Sequence, residues 1–167
     1  MGFAVLRGSE LLDYGVRKLR NGSRVYDAMG QARSCVLDLV GRYSPDELAI
    51  EEPLLIPTKR AALVSAIAQE FHERAKELGT PVTELSPRKV REILIHQSTG
   101  SKLDVAEALV RSFSELRPLA PTRPRRAVLG LASRDRYWLH AFDAIALAVV
   151  VQILKRTSGP VPAVPTI

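Results

Sequence analysis

The sequence predicts an α/β domain, a sheet with helices on its faces, and three observations lead there. Segments rich in β-formers alternate with longer segments of helical apolar spacing, in the order β-β-α-β-α-β-α-α-α. The 167 residues, 46% hydrophobic and 25% charged, are enough to bury one core and too apolar for a disordered tail. Turn and cap residues stand at most junctions between segments.

Phe3–Leu6 and Leu11–Val16 read as two strands, and Gly8-Ser9 between them suits a hairpin turn. Asn21-Gly22-Ser23 breaks the chain, with Ser23 a candidate cap. From Arg24 to Tyr43, Val25, Met29, Ala32, Val36, Leu39 and Val40 recur at helical spacing. Ser44-Pro45-Asp46 ends that helix, and Glu47–Ile50 reads as a buried strand running into Glu51-Glu52-Pro53. A helix over about 58–78 turns Leu63, Ile67, Ala68, Phe71 and Ala75 inward, and Gly79 stops it. Pro81–Leu85 is a further strand. Ser86-Pro87 opens a helix carrying Val90, Ile93 and Leu94, and Ser101 opens another carrying Leu103, Ala106, Leu109 and Val110. Leu116–Ser133, with three prolines and four arginines, reads as a basic loop. The last helix spans about 134–155, capped by Ser133 and apolar on nearly every face of its second half, so it is expected to be buried. Pro160, Pro162 and Pro165 make residues 158–167 a frayed tail beyond a single domain over 1–157.

Composition narrows the function. The net charge is +6, but its distribution says more than its total. Residues 1–85 carry 11 basic and 12 acidic side chains, whereas residues 86–136 carry 11 and 5. A concentrated patch suits a phosphate backbone, whose neutralisation releases counterions; a solvated charged face has the same composition. The single Cys35 excludes a disulfide framework and a cysteine-rich zinc site, and it reads as a small core residue. No unbroken run reaches the roughly 18 apolar residues of a bilayer span. No secretory signal opens the chain and no glycine-rich phosphate loop is present, so a soluble, cytoplasmic protein is expected, with no membrane partner and no nucleotide-enzyme signature.

Two places could hold chemistry. Glu51 and Glu52 follow the apolar strand, where sites gather in α/β sheets, and strand alternation sends them to opposite faces. A polar strand end in solvent looks the same. His140 and Asp143 share a helical face at i, i+3, and Asp143 precedes the apolar run Ala144–Val151. A carboxylate there needs a cation, a hydrogen-bond network or an edge position. A strand-end carboxylate with a helix carboxylate suits magnesium, which keeps waters and meets phosphate oxygens; beside a basic patch that favours phosphodiester hydrolysis.

Several segments carry a family likeness. Gly2-Phe3-Ala4-Val5 looks like the second strand of the RuvC family of Holliday junction resolvases, and Pro45-Asp46-Glu47-Leu48-Ala49-Ile50-Glu51 is similar to its "PDxxAIE" strand. Ser86-Pro87-Arg88-Lys89-Val90-Arg91 and Ser101-Lys102 resemble the blocks that contact DNA. His140-Ala141-Phe142-Asp143-Ala144-Ile145-Ala146-Leu147-Ala148 is similar to the "DAxDALA" terminal helix. The resemblance implies a ribonuclease H-like fold, a mixed sheet flanked by helices. It implies an endodeoxyribonuclease that acts on four-way DNA junctions, as a homodimer, with Mg2+ or Mn2+. It places Glu51, His140 and Asp143 as catalytic residues and metal ligands, and Arg60, Arg88, Lys89, Arg91 and Lys102 against DNA. In two respects the sequence departs from the pattern. The family's first strand, with an "IDPG"-type aspartate, is expected ahead of Met1-Gly2 and is not in this sequence, so impaired activity is expected. Leu54 stands where an aromatic wedge is usual. The alternative is a nucleic-acid-binding module on the same fold without catalysis, with Arg123, Arg125 and Arg126 contributing; a ribonuclease H-like nuclease acting on RNA or hybrid is a further one.

Overall fold

The computed structural model describes residues 1–18, 25–52, 59–122 and 132–158. Its elements follow the expected order: β1 (Gly2–Arg7), β2 (Glu10–Val16), α1 (Val25–Tyr43), β3 (Leu48–Glu51), α2 (Lys59–Glu77), β4 (Val82–Leu85), α3 (Pro87–Ile95), α4 (Lys102–Ser112) and α5 (Ser133–Ser158). A 3-10 segment, Ser114–Leu119, stands where the sequence suggests only loop, with Leu116 fully buried under it. One apolar side chain in a polar, proline-containing stretch gives no period to read, which is why the pattern misses it. The last helix also begins earlier than expected, since Arg136 N–H already bonds the Ala132 carbonyl. Ser23, Leu54, Arg123, Arg125, Arg126 and the tail over 159–167 lie outside the described residues.

Local chemistry fixes the junctions. Gly8 adopts φ +60° in the hairpin turn, and Gly79 adopts φ +66° to end α2. Ser86 Oγ accepts the Lys89 N–H at 3.2 Å, and Pro87 fills the first turn, where its missing N–H costs nothing. Ser101 and Asp104 form a reciprocal capping box at α4.

The sheet expected as one body is two: β1 and β2 pair antiparallel, β3 and β4 pair parallel, and no ladder joins them among the described residues. What unites them is α5, which packs on β1, β2 and β3 and on α3 and α4. Strand alternation sorts the two faces. Ala4, Tyr14 and Ala49 face the α5 core, while Asp13, the next residue along β2, accepts the Tyr43 hydroxyl from α1 at 2.7 Å. Thus α1 and α2, joined through Arg33 and Glu70 at 3.2 Å, cover the opposite side from α5. By length and composition alone α5 could cross a membrane, contrary to the expectation from unbroken runs. Its apolar residues Ala141, Phe142, Ile145, Ala146 and Val150 are instead almost fully buried in the core. Cys35 is buried in α1, and burial pushes its thiol above the ordinary range, consistent with a core role.

A charged latch ties α5 to β3 and β4. Glu47 accepts bonds from Lys155 Nζ at 2.6 Å and from the Thr83 hydroxyl. Burial opposes the Glu47 charge, but these two donors outweigh it and hold the carboxyl below its usual 4.5. A depressed carboxyl pKa stabilises the fold above the unfolded value, and that contribution is lost as pH falls through the folded one. Glu47→Gln is therefore expected to lower Tm at pH 7 by roughly 2–5 °C. The gap to wild type should close as melting is repeated at pH values falling below 4.5.

Candidate carboxylate and cation cluster

Glu51 ends β3 on the same face as Ala49, which packs toward α5, because residues two apart on a strand point the same way.

 
Glu51 thus shares the face of Ala49, while Glu52, just past the strand, donates its N–H to the Leu85 carbonyl at 3.0 Å. Of the two strand-end acids, one reaches the site.

Asp143 comes from α5, one helical turn after His140. Its carboxylate is ion-paired with the Lys102 ammonium from the first residue of α4, 41 positions away in sequence. Lys102 keeps about half of its side chain exposed, against 23% for Asp143. Arg91 approaches from α3, its Nε donating to the Ser98 carbonyl at 3.1 Å. These groups act on Glu51 together. Although Glu51 keeps an exposed surface, loss of water around its carboxyl pushes the pKa up; Lys102 opposes that shift, Asp143 adds to it, and Arg91 opposes it. Lys102 from α4, Asp143 from α5 and Arg91 from α3 thus all act electrostatically on the carboxylate that ends β3.

The close approach that sets α5 in place is visible at Gly2. A Cβ there would lie 1.7 Å from the His140 carbonyl oxygen, so only glycine lets β1 meet the helix at this point. His140 is exposed where α5 crosses β1, and Asp143 lies one turn further on, against Lys102. Among the described residues no three His, Cys, Asp or Glu side chains gather in a metal-holding group. The donors that do converge, two carboxylates on separate elements, fit a hydrated hard cation such as magnesium, which needs only one or two carboxylates and keeps waters. That a cation suits this point is shown by Lys102, whose ammonium already sits on Asp143.

The remaining basic residues differ in setting. Arg88 is largely exposed and pairs with Glu92 at 3.0 Å along α3. Lys89 is exposed beside it. Arg60 belongs to the first turn of α2, and its side chain lies outside the described residues. Sequence reading places Lys102 and Asp143 separately and misses their pairing, because no periodicity links residues 41 apart. The only local signal is that Lys102 directly follows the helix cap Ser101, which fixes where its side chain starts.

Comparison with known proteins sets these features in context. No family model matches the sequence. A crossover junction endodeoxyribonuclease RuvC from Bacteroides fragilis is 31% identical over 116 residues, which cover 66% of this chain and 62% of the relative. The chain thus matches somewhat less than two thirds of that relative's length. A RuvC from Akkermansia muciniphila is 26% identical over 121 residues, 70% of this chain and 72% of the relative. Among solved structures, Thermus thermophilus RuvC in complex with a Holliday junction substrate superposes with a TM-score of 0.68 at 22% identity, covering 93% of this chain and 87% of that one. A second Thermus thermophilus RuvC structure gives 0.67 at 23% identity with the same coverage. The class is therefore an α/β domain of the ribonuclease H-like fold. Within that class, the sequence is similar to the crossover junction endodeoxyribonucleases RuvC of these two organisms.

A desolvated carboxylate beside a second one is a strained arrangement that a site maintains at the expense of stability. Glu51→Gln removes the charge and keeps the shape. It is expected to raise Tm at pH 7 by roughly 1–3 °C, measured by thermal melting without added metal.

Proposed function

We propose that this chain is a metal-dependent, structure-selective endodeoxyribonuclease that resolves four-way (Holliday) junctions in recombination and repair. It would act as one domain over residues 1–157, as a homodimer in the cytoplasm. The observation that carries this reading is the convergence of Glu51 and Asp143, from a strand end and a buried helix, with Lys102 and Arg91 at the same point. The likeness to RuvC relatives, one of them seen with a junction substrate, supports the substrate class. A homodimer suits that substrate, because two-fold symmetry presents two equivalent sites to strands of like polarity.

Each residue has a role that follows from its chemistry. Glu51 and Asp143 would hold Mg2+ or Mn2+. When bound, the ion stabilises charge on the phosphate and lowers the pKa of water. His140, exposed one turn from Asp143, would accept a proton as a neutral imidazole. Arg91 is anchored through Nε to the Ser98 carbonyl and would orient a phosphate with its planar guanidinium. Arg60, Arg88 and Lys89 would contribute to backbone attraction, which weakens as salt rises.

One observation favours the second reading, a binding module without catalysis: Asp143 is engaged by Lys102, and no three-ligand group is formed among the described residues. A gel assay on a labelled four-way junction and a matched linear duplex, with and without Mg2+ or Mn2+, separates the two. The nuclease reading expects paired, metal-dependent nicks in the junction, reduced by about 100-fold or more in Asp143→Asn. Selective, salt-sensitive binding with no nicking in any metal, and unchanged by EDTA, would replace it with the binding module.

A further inference from the structure

We infer that Lys102 is a built-in counter-cation: in the metal-free protein its ammonium occupies the cation position beside Glu51 and Asp143, and a divalent ion binds there by displacing it. This rests on the proposed metal-binding role of those two carboxylates and adds a competitor that belongs to the chain itself.

Three features of the site lead to it. First, Asp143 on α5 is only 23% exposed and β3, which ends in Glu51, packs against the same helix, so the acids there require a positive partner. Lys102 supplies it directly through its ion pair with Asp143 and electrostatically at Glu51. Second, the two ends of Lys102 are unequal. Its backbone is fixed in the first turn of α4 by the Ser101–Asp104 capping box, but its side chain is 52% exposed. Four rotatable methylenes can therefore carry the ammonium into water without opening the core, and an ammonium is strongly hydrated once there. Third, the neighbouring cation is built differently. Arg91 is half-buried and tethered to the Ser98 carbonyl, so it stays where it is. The cluster thus contains one fixed and one displaceable positive charge.

This differs from a lysine whose only task is to touch a DNA phosphate. Such a residue leaves metal affinity unchanged when no DNA is present. A counter-cation competes, so its removal tightens metal binding in the free protein.

The test is a Mn2+ titration of the full chain without DNA, reading free Mn2+ by electron paramagnetic resonance, with thermal melting in parallel. Wild type is compared with Lys102→Met, Lys102→Gln, Arg91→Met and Asp143→Asn. Lys102→Met and Lys102→Gln are expected to bind Mn2+ about three- to tenfold more tightly than wild type, from loss of a half-exposed competing charge. Both should melt lower than wild type in EDTA and gain more in Tm on adding Mn2+. Arg91→Met should change the affinity less. Unchanged or weaker Mn2+ binding in both Lys102 variants, with wild-type binding intact and lost in Asp143→Asn, overturns the inference alone. If neither wild type nor the Lys102 variants bind Mn2+, or if Asp143→Asn binds as wild type does, the metal-binding reading of the site falls and takes this inference with it.

Discussion

The structure depends on one packing constraint, the passage of α5 across two small sheets that are not hydrogen-bonded to each other among the described residues. Neither two-stranded sheet has enough apolar surface to stand alone, since an isolated pair of strands is marginal in water. The apolar side chains of α5 give both sheets, and α3 and α4, a common core. At one point the approach is backbone to backbone, Gly2 against the His140 carbonyl, and that contact tolerates no side chain at position 2. A helix held this tightly is a rigid support, which a site needs if charged groups are to keep fixed separations.

The charged cluster follows from the same helix. Burial of Phe142 and Ile145 fixes the helical rotation, and the rotation sends Asp143, between them, toward α4. The Ser101 cap determines where Lys102 begins, and the β3–β4 pairing extends to Glu51 opposite Leu85, so the strand delivers its last carboxylate at the cluster. At the opposite end of β3, Glu47 has a different fate. Paired with Lys155 and Thr83, its charge is favoured; at Glu51 the loss of water outweighs the help from Lys102 and Arg91. Two acids at opposite ends of one short strand thus divide into a structural latch and a carboxylate whose charge is disfavoured by loss of water.

Much of this was legible in sequence, and the remainder was not for physical reasons. Helical spacing, the Ser86-Pro87 and Ser101 caps, and Gly8 and Gly79 mark nearly every boundary, because such signals act within a few residues. The separation of the sheet into two pairs could not be read, since strand pairing is non-local and the local pattern is the same in either arrangement. Leu116 was hidden by its polar neighbours. At the site, Asp143 was recognisable as a carboxylate awaiting a partner, but Lys102 as that partner depends on how α4 lies against α5.

The central claim is that Glu51 and Asp143 form one cation site, held in place by α5. Paramagnetic broadening of the backbone amide NMR signals by substoichiometric Mn2+ measures this most directly, because the effect falls off steeply with distance from the ion. The account predicts that amides of Glu51, Lys102 and Asp143 and their immediate neighbours broaden first, while those around Glu10 in the hairpin and Glu77 at the end of α2 persist. Broadening centred on any other acidic group, or spread evenly over the surface, would contradict it.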